Sequence, residues 1–116
     1  MKIIVSDFGD TARKVTLVGR LDIVGAEEIG LPLAAAAGAR GNVVIDMVGV
    51  DFIASMGIRH LVMAAKTIGR GAGKLVLLNP TPAVTEVLTV ADLNEFLPIV
   101  RSEAEARAAF GSTAGM

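Results

Sequence analysis

Two short, almost uninterrupted apolar runs mark the middle of this chain: NVVIDMVGV (42–50) and KLVLL (74–78). Runs of this kind suit strands covered on both faces, as in a layered α/β sheet. Between them Ile58, Leu61, Val62 and Ala65 recur at helical spacing, and GRGAG (69–73) stops that segment. Upstream, KIIVSDFGDTARKVTLVGRL (2–21) reads as two strands around a Gly9-Asp10-Thr11 turn. The next stretch, DIVGAEEIGLPLAAAAGARG (22–41), reads as helical and is ended by Gly38 or Gly41. Pro32, with Gly30 nearby, predicts a kink or two short helices near Ile29–Pro32. An internal proline deletes a backbone bond and clashes with the carbonyl four residues back.

Downstream, NPTPAVTEVLTV (79–90) predicts an amphipathic helix capped by Asn79 or Thr81, and LPIV (97–100) a short last strand. Ser102 and Glu105 form an S-x-x-E capping box, opening an Ala-rich helix to about Phe110. The tail from about Gly111 is expected to fray. The expected order is therefore β-β-α-β-α-β-α-β-α, in a single domain spanning 1–116.

A chain of 116 residues buries roughly two-thirds of its unfolded surface, so it needs no disulfide or metal to hold together. It has no cysteine, which excludes disulfides, thiol chemistry and Cys-based zinc sites. One histidine, His60, rules out histidine clusters. Net charge is −1 with basic residues scattered, so no basic face points to nucleic acid. The apolar share is 53%, yet the longest uncharged stretches, 29–39 and 75–85, fall far short of the ~20 apolar residues a bilayer span needs. Asp7 comes too early for a secretory leader. These features predict a cytoplasmic protein without membrane insertion or cofactor, with apolar surface enough for a homodimer.

Candidate chemistry is sparse. GRGAGK (69–74) has the look of a phosphate loop in reverse: helix before, strand after, and Leu75 following Lys74. It reads as a helix-to-strand turn. His60 is five residues from Ser55 and so off its helical face; it reads as an exposed polar-face residue, not a catalytic base. Asp22, Asp46 and Asp51 each follow an apolar run and could gather at one sheet end, although caps and turns explain such acids more often. Ser55, in FIASMG (52–57), precedes the second amphipathic helix. It could be an N-cap and nothing more. It could also carry a phosphoryl group, because a helix N-terminus favours negative charge.

VVIDMVGVDFIASMGIRHLVMAAKTI (43–68) resembles the central segment of STAS domains, the anti-sigma factor antagonists. VGRLD (18–22) resembles that family's Gly-x-Leu-Asp element, and NPTPAVTEVLTVADLNEFLPIV (79–100) its closing segment. The resemblance covers about Ile3 to Phe110. It implies an α/β fold: a mixed sheet of four to five strands, with about four helices packed mainly on one face. It implies a protein that is not an enzyme and that works by partner switching. The unphosphorylated antagonist binds an anti-sigma factor that is also a serine kinase, phosphorylation blocks binding, and a serine phosphatase resets it. Ser55 matches the phosphoacceptor, Asp22 the nearby acid and Gly57 the motif glycine. Phe52, Ile53, Ala54, Met56 and Ile58 would complete the partner-binding surface. Ala54 departs from the family, which commonly has an acid there; Asp51 is the nearest candidate to substitute. The alternative is a STAS scaffold or accessory module that is never phosphorylated.

Overall fold

The computed structural model describes residues 1–38 and 41–111. The elements follow the order read from the sequence: β1 Lys2–Asp7, β2 Ala12–Leu21, α1 Ile23–Gly38, β3 Asn42–Ile53, α2 Ser55–Arg70, β4 Leu75–Leu78, α3 Pro82–Val90, β5 Ile99–Val100 and α4 Glu103–Ala109. The five strands lie in sequence order in one sheet. β1 is antiparallel to β2, and every later pair is parallel.

This topology decides where the helices go. Parallel strands added in one direction need crossovers of one hand, and the right-handed preference puts all of them on one face. Accordingly α1, α2 and α3 share a core with Val43, Ile45, Leu75 and Leu77. The alternate residues Val44, Val76 and Leu78 point to the opposite face and pack with Ala106 of α4. The expected mixed sheet with helices mainly on one face is what forms. No described helix is long and apolar enough to cross a membrane.

Two elements depart from expectation. β3 is longer than its apolar run and reaches Ile53, with register shifts opposite Thr16/Val18 and Gly19/Arg20. It is buried on both faces only across Val43–Ile45; from the first shift on, Met47, Val50 and Ile53 are buried, while Val48 is 56% exposed. α1 runs unbroken through Pro32, so the expectation of two short helices is corrected. Its buried Ala26, Ile29, Leu33, Ala36 and Ala37 hold it in place, and that packing outweighs one missing backbone bond. Thr81 caps α3, accepting from the Val84 N–H at 3.3 Å, with Pro82 next to it. Ser102 caps α4, and the Glu105 carboxylate reaches back to the Arg101 N–H at 2.8 Å. The tail expected to fray lies, from 112 on, outside the described residues.

Candidate functional site

β2 and β3 end side by side, with Arg20 beside Phe52 and Leu21 beside Ile53. Each then passes straight into a helix, so α1 and α2 begin next to one another at one end of the sheet. The joints are tight. The Ala54 N–H donates to the Leu21 carbonyl at 2.9 Å. A Cβ on Gly57 would lie 2.6 Å from Leu21 Cγ, and one on Gly25 would lie 2.2 Å from the Arg20 carbonyl oxygen. Only glycine allows both first turns to press this closely on the end of β2.

Ser55 is the first residue of α2, not its cap. The cap position belongs to Ala54, which is extended (φ −105, ψ 171) and offers no side-chain acceptor. This corrects the capping role read from the sequence. The Ser55 hydroxyl is exposed and forms no hydrogen bond among the described residues. The first helical bond of α2 is from Ile58 N–H to the Ala54 carbonyl at 3.1 Å. The N–H groups of Ser55, Met56 and Gly57 precede it, with no acid in the turn to cap them.

Around this serine the residues sort by depth. Phe52 and Met56 are each 39% exposed. Ala54 and Ile58 are half-buried. Ile53 and Gly57 are buried beneath them. Asp22 Oδ1 accepts from the Gly25 N–H at 2.9 Å and so caps α1, while Oδ2 lies 3.9 Å from Arg20 Nε. The Arg20 guanidinium sits 4.4 Å from the Phe52 ring centroid. An acid, a cation and an aromatic thus run in line along the rim. Sequence reading missed Arg20, whose partner Phe52 is a cross-strand neighbour. It also missed Ile23 and Val24 in the first turn of α1, 66% and 63% exposed. An apolar pair opening a helix was the available signal.

The remaining candidates scatter. Asp46 lies inside β3, accepts from the Val48 N–H at 3.1 Å and stands 3.7 Å from Lys14 Nζ. Asp51 is exposed on β3. Asp22 and Asp46 thus do different jobs, and no group of three or more metal-binding side chains gathers among the described residues. His60 is half-buried, not exposed as expected, because α1 lies against it: a Cβ on Gly30 would be 3.5 Å from His60 Cε1. GRGAGK is the turn it was read as, with Gly71 capping α2 and Ala72 at φ 67.

Comparison with known proteins places this geometry. The family model described as STAS domain matches residues 5–106. BtrV of Bordetella bronchiseptica, a protein named as an anti-sigma factor antagonist, is 34% identical over 96 residues, covering 81% of this chain and 82% of BtrV. The crystal structure of an anti-sigma factor antagonist from Mycobacterium paratuberculosis superposes with a TM-score of 0.83 at 24% identity, covering 94% of this chain and 92% of that one. The anti-sigma factor antagonist SpoIIAA in its unphosphorylated form superposes at 0.76 with 21% identity, covering 99% and 98%. SpoIIAA of Bacillus in its phosphorylated form superposes at 0.71 with 20% identity, covering 93% and 99%.

Proposed function

This chain belongs to the STAS domain family, among the anti-sigma factor antagonists, and we propose that it acts by partner switching at Ser55. The unphosphorylated form binds an anti-sigma factor that is also a serine kinase, and sigma factor is released. Phosphorylation of Ser55 blocks that binding, and a serine phosphatase restores it. The protein performs no chemical step of its own and works in the cytoplasm with these partners.

The observation that carries this reading is an exposed, unpartnered hydroxyl at an uncapped helix start, rimmed by exposed apolar side chains. An unmodified serine there lets a partner cover Phe52, Met56, Ile23 and Val24 at little cost. A phosphoryl group adds about −1.5 to −2 charges. The free N–H groups of the first turn and the helix dipole tolerate that charge within the fold. A partner that covers the site must desolvate that charge. A penalty of about 2–5 kcal/mol lowers affinity roughly 30-fold to several thousand-fold.

Ala54 favours a second reading, a scaffold or accessory module that is never phosphorylated, because no acid stands beside the serine to engage a kinase. Incubation with the cognate anti-sigma kinase and ATP, followed by phosphopeptide mass spectrometry, separates the two. Stoichiometric phosphate on Ser55 is expected; an unmodified peptide under conditions where the kinase modifies another antagonist supports the scaffold.

A further inference from the structure

β1 closes one edge of the sheet and pairs only with β2. Proteins protect such edges with prolines, bulges, inward charges or very short strands. β1 has none of these, and the edge charges that also protect such strands stand only at its two ends, Lys2 and Asp7. It is six residues long, KIIVSD, contains no proline, and runs without a register shift from Lys2 opposite Val18 to Asp7 opposite Arg13. Its centre is apolar, and Ile4 and Val5 are 46% and 47% exposed. The exposure continues inward: Val18, diagonal to Ile4 on the same sheet face, is 43% exposed. α4 packs on Val44, Val76 and Leu78 and leaves this strip bare.

We propose that the β1 edge is an interface between two copies of this chain, joined β1 to β1 in antiparallel fashion across a two-fold axis. Symmetry and sequence choose the register. A two-fold relating antiparallel edge strands stands perpendicular to the sheet and keeps each face on its own side, so the strand must pair about one self-opposed residue. Centred on Ile4, the pairing sets Ile4 against Ile4 of the second copy, Ile3 against Val5, and Lys2 against Ser6. Each central apolar residue meets an apolar one, Lys2 at the margin meets a neutral serine, and Asp7 falls beyond these pairs. Centred on Val5, the pairing would press Ile3 on Asp7. The Ile4 register satisfies the open backbone edge and joins the bare strips of both copies. A second copy therefore fits this edge by its own sequence. β3 and the start of α2 are two strands away, so the inference stands independently of switching at Ser55.

The chain has no cysteine, so single thiols report the register. In the full chain, Ile4→Cys places two thiols at directly opposed positions, with Cβ atoms about 5 Å apart. Ser6→Cys places them four residues out of step, roughly 14 Å apart and beyond disulfide reach. Under mild oxidation Ile4→Cys is expected to form covalent dimer at least about tenfold faster than Ser6→Cys. Sedimentation of the unsubstituted chain is expected to show mass rising with concentration towards twice the monomer, and Ile4→Lys, which opposes two like charges, is expected to stay monomeric. Equal cross-linking rates overturn the proposal. So does a dimer indifferent to Ile4→Lys, which would use another surface. So does a chain that stays monomeric at several hundred micromolar.

Discussion

Gly57 stands where no side chain fits. Its missing Cβ would fall 2.6 Å and 2.9 Å from Leu21 Cγ and Cδ2, and Leu21 is fully buried. Gly57→Ala should therefore destabilise the fold by about 1–3 kcal/mol, the usual cost of overpacking, as read from urea denaturation. An unchanged midpoint would mean that Leu21 can yield. Asp22 caps α1 through one oxygen and approaches Arg20 with the other. Asp22→Ala should cost about 1 kcal/mol, while Asp22→Asn, which keeps an acceptor, should cost less. If both weaken partner binding equally, the charge matters there and not the cap. The place of Ser55 was legible in FIASMG, but its capping role was misread. Extended backbone persists through Ile53, and the Ala54 N–H is taken by Leu21. That bond, between residues far apart in sequence, fixes the cap at Ala54, and no local pattern reveals it.

Among the elements, α4 is held on its face by groups from several strands. Lys14 Nζ donates to Glu103 Oε2 at 3.0 Å and stands near Asp46. The Phe8 and Phe110 rings meet edge to face, 6.2 Å apart, and the Arg107 guanidinium lies 4.6 Å from the Phe8 ring. The hydrogen bond from Lys14, followed by its charge, holds the Glu103 carboxyl below the usual carboxylate range. The bond to Glu103, opposed by partial burial, holds the Lys14 ammonium above the usual lysine range. A depressed carboxyl contributes stability that is complete above its unfolded pKa and is lost as pH falls through the folded value. A raised ammonium contributes below its unfolded pKa and loses that contribution as pH rises through the folded one. The pair therefore acts across neutral pH. Thermal melts should show the unsubstituted chain above Glu103→Gln at neutral pH, with the gap closing in acid below the carboxylate range. A gap that stays constant into that range contradicts the pair's role. Because Glu103 is exposed, added salt should shrink the gap as well.

The order of the elements was legible because each carries its own period or its own cap, as Thr81 and Ser102 do. Their extents were less so. The two register shifts in β3 break the alternation after Asp46, which hides the last stretch of the strand from any period-two reading. Pro32 misled in the opposite direction, since a local rule about proline carries no information on the packing of Ile29 and Leu33.

At the scale of the molecule, the parallel strands set helix starts at one end of the sheet. α1 opens after Leu21 and α2 after Ala54, and Thr81 at the start of α3 donates to the Val50 carbonyl at 3.4 Å. That end also carries Arg20, Phe52, Met56, Ile23 and Val24. A charge added at Ser55 would sit among those side chains, at a helix start that favours negative charge. The sequence alone could not show this convergence, because it depends on which strands become neighbours. The central claim is most directly tested by titrating the cognate anti-sigma kinase with the unsubstituted chain, Ser55→Ala and Ser55→Asp by calorimetry. Ser55→Ala is expected to bind as tightly as the unphosphorylated chain, and Ser55→Asp at least about 30-fold more weakly. Equal binding by both variants would contradict the switch.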